Sequence, residues 1–187
     1  MDFGSEIKLS QDGLLATVLE LYLESAEEPV DLDMLVTGGP PMSDGRHYWE
    51  LQVSASASKC SVFVGAVRPG LDHEDTHCDS DGAWYLGLYR GGLYRRGHTN
   101  SEPQGAFAEG DRVGVLLDLD AGWLRFYRNS KRCGPGFTEG VTGPLVRAAQ
   151  VYSKGDALTV LPGAVAPEGA GAADEPWEAA PANNADY

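Results

Sequence analysis

The stretch GDRVGVLLDLDAGWLRFYRN, residues 110–129, constrains the fold more than any other part of the chain. Two apolar runs flank a turn at residues 120–122. Because successive side chains of a strand point to opposite faces, the residues of each run divide into two sets. The first run has Val113, Val115, Leu117 and Leu119 on one face. The second run has Leu124 and Phe126 on one face and Trp123, Arg125 and Tyr127 on the other. The pattern predicts a β-hairpin within a larger sheet.

Short apolar runs separated by turn-forming residues make up most of the remaining chain. The 24 glycines and 11 prolines among 187 residues interrupt these runs and favour strands over helices. The predicted strands cover residues 14–24, 46–54, 60–67, 83–89, 92–97, 112–119, 123–128, 145–152 and 157–161. The first run also fits a helix, but its Val, Thr and Tyr residues favour a strand. The sequence predicts one all-β domain with the strand spacing of a sandwich.

Two polar stretches are predicted to be loops. Residues 38–45, GGPPMSDG, contain Gly or Pro at five positions, and both residue types interrupt regular structure. Residues 68–82 form a longer polar stretch. Unstructured loops of about 15 residues are uncommon and often functional. We therefore expect the longer loop to contribute to a binding site.

The net charge of −14 is concentrated at the two ends of the chain. Residues 1–44 carry ten acids and one base, residues 45–163 carry thirteen of each, and residues 164–187 carry five acids and no base. Nucleic acids and anionic membranes are bound through a cationic surface that releases counterions. We therefore predict that the partner is neither a nucleic acid nor a membrane.

The cysteines and the apolar runs indicate an intracellular protein. Three cysteines, Cys60, Cys78 and Cys133, show no CxxC spacing, and an odd number cannot form a complete set of disulfides. A reducing compartment is the simpler explanation. The longest apolar run, residues 14–23, contains Glu20, is too short to span a bilayer and lacks the basic start of a signal peptide. We expect a cytoplasmic location, with the nucleus left open.

The last part of the chain differs in composition from the rest. Residues 163–187 are rich in Ala, Gly, Pro and acids, and few of them could bury enough area to offset chain entropy. We predict one domain over residues 1–163, followed by a disordered acidic tail over residues 164–187. Trp177 is the one large apolar residue of the tail, either a motif for a partner or a chance aromatic.

No catalytic constellation stands out in the sequence. Asp118 and Asp120 could form the carboxylate pair of a glycoside hydrolase, since neighbours of this spacing reach about 7 Å. However, no strand carries the alternating Glu and Asp residues of a sandwich-fold glucanase, and Asp120 also suits a turn position that accepts backbone N–H groups. The nucleophile-elbow, phosphate-loop and H-E-x-x-H motifs are absent. We predict no catalytic residue and no cofactor.

The long loop contains a cluster of potential metal ligands. They are His73, Asp75, His77, Cys78, Asp79 and Asp81. An EF-hand would need an oxygen ligand at His77 and a Glu at Leu88, so that pattern fails. A zinc site is an alternative. Because most polar loops of this kind are simply solvated, we predict no metal.

Four pieces of the chain, taken in order, resemble the SPRY domain family. They are SDGRHYWELQV, FVGAV, WYLGLYRGGLYRRG and the stretch from GDRVGVLLDLD to the closing strand at residues 157–161. The resemblance implies a bent sandwich of two antiparallel sheets with concanavalin-like jelly-roll architecture, without catalytic activity, whose surface loops bind a short segment of a partner protein. Several members are substrate receptors for ubiquitin ligases. This chain has neither RING spacing nor room for a helical box, so an adaptor role requires a separate partner.

The candidate partner-binding residues lie on or beside the predicted loops. They are Arg46, Arg68, His73, Asp75, His77, Asp81, Arg95 and Tyr152. Tyr152 is included because peptide-binding relatives place an aromatic, a Trp, near the start of the last hairpin. Trp49, Trp84 and Trp123 are assigned to the core. We expect a monomer whose ligand is a protein or peptide.

A carbohydrate-binding or carbohydrate-cleaving sandwich is the alternative function, because lectin-like folds share the two-sheet architecture. A sugar site needs an exposed aromatic beside several polar side chains. The long loop offers Asp and His residues but no aromatic between Phe63 and Trp84. This absence favours protein interaction.

Overall fold

The computed structural model describes residues 5–9, 15–21, 34–55, 62–71, 81–95, 98–99, 104–151 and 156–177. Within these ranges the regular structure consists of strands. The strands are β1 (Ser5–Leu9), β2 (Leu15–Leu21), β3 (Met34–Met42), β4 (Arg46–Ala55), β5 (Val62–Val67), β6 (Ala83–Gly87), β7 (Gly92–Arg95), β8 (His98–Thr99), β9 (Arg112–Asp118), β10 (Trp123–Arg128), β11 (Lys131–Arg132), β12 (Leu145–Val151) and β13 (Ala157–Leu161).

The strands form two antiparallel sheets. The first sheet has the order β1-β2-β13-β4-β9-β10-β11, and the second has the order β3-β12-β5-β6-β7-β8. Strands distant in the chain, such as β4 and β9, are therefore neighbours. The all-β, two-sheet antiparallel sandwich that the sequence predicts is confirmed, and the ambiguous run at residues 14–24 contains strand β2.

The main hydrophobic core lies between the two sheets. Trp49 comes from β4 and Trp84 from β6, and both indoles are buried, as predicted. The hairpin places Val115 opposite Phe126, and both side chains are fully buried in the same cluster. Alternation along β9 and β10 therefore decides which side chains reach the interior.

The central strands of the second sheet, β5 and β6, are buried on both faces. All six residues of β5 are buried, as expected for a run that is apolar at every position. A second cluster on the side away from the main core contains Phe63, Tyr85 and Ala148. The ring of Phe63 packs edge-on against Tyr94 with centroids 5.0 Å apart. The centre of this sheet is therefore covered on both sides, whereas residues 37–41 of the edge strand β3 are exposed.

The loop predicted at residues 38–45 is wrong over most of its length, because β3 continues to Met42. β3 is an edge strand and pairs only with β12 among the described residues. An edge strand tolerates prolines because one side of its backbone needs no ladder hydrogen bonds. The pairing shifts register between Leu145 and Arg147. This shift lies next to Gly39, whose backbone φ angle of 78° is in the left-handed region. Only residues 43–45 form the loop.

The predicted disordered tail, residues 164–187, is described up to residue 177, and its residues 172–175 contact β10 and β11 of the first sheet. Arg125 Nη1 donates a 2.7 Å hydrogen bond to the carbonyl of Ala172. Arg132 donates to the carbonyl of Glu175. Polar contacts thus hold a segment that buries little apolar surface. Residues 178–187 lie outside the described residues, and the domain boundary after residue 163 remains a prediction.

Gly65 is required where β5 passes close to β6. A Cβ at this position would overlap the carbonyl oxygen of Trp84, which is backbone and cannot move aside. We expect Gly65→Ala to lower the free energy of unfolding by about 3 kcal/mol, as overpacked cores do, measured by urea denaturation. Gly38→Ala is the control, because a Cβ there meets nothing within 4 Å. Equal stability of the two variants would contradict this packing.

Candidate binding surface

Several connecting segments meet at one end of the sandwich. We call this surface the loop end, and it consists of residues 43–46, 68–71, 81–82, 118–122 and 138–144. The Gly45 N–H donates to Asp120 Oδ1 at 2.9 Å, and the Val141 N–H donates to the carbonyl of Gly122 at 3.1 Å. Arg68 Nη2 donates to Thr142 Oγ1 at 3.1 Å, which joins the second sheet to the same segment. Hydrogen bonds across both sheets therefore build the loop end.

Four of the eight predicted binding residues are described. Arg46, Arg68 and Asp81 lie in the loop end, and Arg95 reaches it from the end of β7, where its guanidinium lies over Trp84. The other four, His73, Asp75, His77 and Tyr152, lie outside the described residues, so their role remains a prediction.

The register of the second sheet shows which end of β5 lies at the loop end. Val67, which precedes Arg68, pairs with Val146 at one end of β5. Val151, which precedes Tyr152, pairs with Val62 at the other end of β5. The four described residues therefore gather at the end of the sheet away from Val151.

Two guanidinium groups share the indole of Trp84. The Arg95 guanidinium carbon lies 4.7 Å from the ring centroid, and that of Arg68 lies 5.8 Å from it. Burial lowers the pKa of Arg95, and the charge of Arg68 lowers it further. Stacking on an aromatic ring holds both cations in place despite their repulsion. The pair is suited to an anionic group, which would relieve that repulsion.

The two carboxylates at the hairpin turn stabilise the loop end. Asp118 Oδ1 accepts a 2.7 Å hydrogen bond from the Ala121 N–H, and Oδ2 forms an ion pair with Arg46. Burial alone would raise the pKa of Asp118, but these contacts outweigh it and hold the pKa below the ordinary aspartate value. Asp120 accepts from the Gly45 backbone. Both side chains therefore make the structural contacts that the turn interpretation predicted.

Trp123 lies outside the interior clusters, so its assignment to the core is wrong. Its half-buried ring faces away from the second sheet and lies between two arginines. The guanidinium carbon of Arg125 is 4.5 Å from the ring centroid, and that of Arg46 is 5.6 Å from it. These side chains and residues 169–173 line an open groove of about 600 Å³. The hairpin sequence already indicated this position. Trp123 shares a strand face with Arg125, whereas the core residue Leu124 points to the opposite face.

The described part of the chain contains neither grouped metal ligands nor a membrane-spanning helix. Among the residues that the structure describes, no three His, Cys, Asp or Glu side chains are placed to hold a metal ion. Most of the candidate ligands lie in residues 72–80, outside that part. The described strands and turns include no helix long and apolar enough to cross a bilayer.

The sequence comparisons agree on one family. A family model described as SPRY domain matches residues 46–164. The SPRY domain-containing SOCS box protein 3 of Xenopus laevis is 30% identical over 109 residues, which cover 56% of this chain and 30% of that protein. Zinc finger protein RFP of Homo sapiens is 30% identical over 120 residues, 62% of this chain and 22% of that protein. The chain thus matches less than a third of the length of these relatives.

The comparison with solved structures supports the fold. The crystal structure of the SPRY domain of human HERC1 superposes with a TM-score of 0.67. The match covers 82% of this chain and 91% of that one at 19% sequence identity. At this identity the similarity concerns the fold alone.

Asp118→Asn tests the electrostatic contacts of the loop end. A carboxyl whose pKa is lower in the folded than in the unfolded state stabilises the fold above the unfolded pKa of about 4, and this contribution is lost as the pH falls through the folded pKa. We expect the variant to be about 2 kcal/mol less stable than the wild type at pH 7, because charged hydrogen bonds are lost. The difference should shrink below about pH 4.

Urea unfolding between neutral and acidic pH measures this effect. Asp44→Asn, which changes an exposed carboxylate of the neighbouring loop, is the control and should behave like the wild type. A loss of stability in Asp118→Asn that is the same at every pH would show that the carboxylate charge does not stabilise the turn.

Proposed function

The chain belongs to the SPRY family, and we propose that it binds a short segment of a partner protein through its loop end. SPRY domains in SOCS box, TRIM and HERC proteins are protein-interaction modules. The observation that carries the proposal is the pair of arginines, Arg68 and Arg95, on the indole of Trp84. A fixed pair of cations beside connecting loops is a recognition feature and needs no reaction to explain it.

The chemistry of this pair favours an acidic side chain in the bound segment. Guanidinium groups donate planar, paired hydrogen bonds that match a carboxylate. Arg68 is exposed and can reach a ligand, whereas Arg95 is half-buried beside it. The exposed Asp81 and the positively charged Arg46 also lie in the loop end. His73, Asp75 and His77 are proposed as further contacts, and Tyr152 is proposed as a contact for a more distant part of the bound segment, because Val151 before it lies at the opposite end of β5.

An adaptor role follows from the same proposal. One relative is named as a SPRY domain-containing SOCS box protein, and this chain matches 30% of its length. In this role the loop end holds a substrate segment, and a separate ligase subunit acts on the partner. Burial raises the pKa of the free Cys133 thiol to about 11, so the thiol stays protonated and has no part in this proposal.

The test uses the full chain as bait in a quantitative pull-down from native lysate. Arg68→Ala combined with Arg95→Ala removes both cations from Trp84. Arg90→Ala is the matched control, because Arg90 follows the end of β6 at which Gly87 pairs with Phe63, away from the loop end. We expect the double variant to lose at least about tenfold of the captured partner, equivalent to about 1.4 kcal/mol, and the control to retain it.

Two further variants test the contacts proposed for the long loop and for Tyr152. Replacement of residues 73–81 by Gly and Ser examines the long loop, and Tyr152→Ala examines the aromatic. Circular dichroism confirms that each variant is folded. The proposal is wrong if the Arg68 and Arg95 variant captures as much partner as the wild type. Recovery of glycans in place of proteins would support the carbohydrate alternative.

A further inference from the structure

Residues 169–177, GAGAADEPW, cross the side of β10 and β11 that faces away from the second sheet. They lie beyond residue 164, where the match to the family model ends. The N–H groups of Ala172 and Glu175 donate to the carbonyls of Gly169 and Ala172, so the segment follows successive turns. Its one large apolar side chain, Trp177, is 42% exposed. Apolar burial therefore does not explain why the segment lies there.

A single carboxylate makes the main contact of the segment. Glu175 Oε2 accepts hydrogen bonds of 3.0 Å from Arg125 Nη1, from the hydroxyl of Tyr127 and from the N–H of Gly171. The Arg125 and Glu175 side chains are only 13% and 12% exposed. Burial, followed by the hydrogen bond to Glu175, raises the pKa of Tyr127, so the hydroxyl keeps its proton and remains a donor. Three donors thus converge on one anionic position.

A second arginine binds the backbone of Glu175 beside this carboxylate site. Arg132 donates to the backbone carbonyls of Glu175 and Pro135. Burial lowers the pKa of Arg132, and the nearby charge of Arg125 lowers it further. Without an anion, two close guanidinium groups would repel each other, and the largely buried donors would lack a partner. The outward side of β10 and β11 is therefore built to hold a carboxylate.

The chain's own segment fills this surface incompletely. Next to the carboxylate site, the groove of about 600 Å³ is lined by Trp123 with Arg46 and Arg125. On the other side of the groove the segment offers only Gly and Ala, residues 169–173. A peptide with the same glutamate and a larger apolar side chain in place of Ala170 would make the same polar contacts and also cover the indole.

We propose that the outward side of β10 and β11 is a second peptide-binding site, specific for a glutamate-bearing segment of a partner protein, and that residues 169–177 occupy it until the partner displaces them. Arg46 borders both surfaces, but the carboxylate contacts of this site come from Arg125 and Tyr127, which lie outside the loop end, so the inference does not depend on the function proposed there. A tethered segment competes at an effective concentration in the millimolar range. Only a partner with additional contacts can displace it.

The test measures binding of a fluorescently labelled GAGAADEPW peptide to the full chain by anisotropy. Glu175→Ala removes the internal carboxylate, and Glu168→Ala is the matched control because Glu168 is exposed in the same connection. We expect Glu175→Ala to bind the peptide at least about tenfold more tightly than the wild type or the control, because the internal competitor is weakened. Replacing Glu by Gln in the peptide should abolish this gain.

Additional variants separate this site from the loop end. In the Glu175→Ala background, Arg125→Ala should abolish peptide binding, whereas Arg95→Ala should leave it unchanged. A peptide with Leu in place of the alanine corresponding to Ala170 should bind the wild type more tightly than the natural sequence does. Thermal unfolding checks that each variant is folded.

Three outcomes would overturn the inference. They are equal binding to the wild type and to Glu175→Ala, loss of binding on Arg95→Ala instead of Arg125→Ala, and no gain from the Leu peptide. The second outcome would move the peptide to the loop end and would leave the function proposed for that surface in place.

Discussion

The register of β4, β9 and β10 is the constraint on which both candidate surfaces depend. It pairs Asp118 with Arg46 on one side and with Trp123 on the other. The same register directs Val115 and Phe126 into the core between the sheets. Because side chains alternate along a strand, a slip of one residue would turn the core positions to solvent and the groove positions inward. Core packing therefore holds both the loop end and the groove beside Trp123 in place.

Arginines stacked on tryptophans give the domain its charged surfaces. Arg68 and Arg95 lie over Trp84, and Arg46 and Arg125 flank Trp123. Stacking restricts long side chains that would otherwise sample many rotamers, so less entropy is lost when an anion binds. At Trp123 the chain supplies carboxylates itself, from the hairpin turn and from the C-terminal segment. At Trp84 the proposed function assigns that role to a partner.

The distribution of charge along the chain allows the acidic C-terminal segment to contact the sandwich. The chain carries a net charge of −14, yet residues 45–163 contain as many bases as acids. Charges at the ends of the chain are therefore available to contact arginines of the sandwich. Glu175 does so through Arg125, and the same oxygen also accepts from the Tyr127 hydroxyl and the Gly171 N–H, so the contact is specific and not a diffuse attraction. Bulk charge alone would not select one glutamate among several acids.

Most of the fold could be predicted from local patterns, and the two failures have different causes. The hairpin at residues 110–129, the apolar β5 and the short strands follow from alternation and turn residues. β3 was missed because prolines interrupt a central strand but not an edge strand, and only the sheet order shows that β3 is at the edge. Trp123 was assigned to the core although it shares a strand face with the charged Arg125, which indicated the outward face.

The sequence by itself determined which side chains share a face, where turns occur and which family the chain resembles, because these properties depend on residues close together in the chain. The tertiary structure decided which charges meet. Arg46 pairs with Asp118, 72 residues away, and Arg125 pairs with Glu175, 50 residues away. Such contacts require the order of strands in the sheet, and no periodicity of single residues encodes that order. Composition predicted disorder for residues 164–177 because it counts apolar area and cannot show a buried carboxylate site.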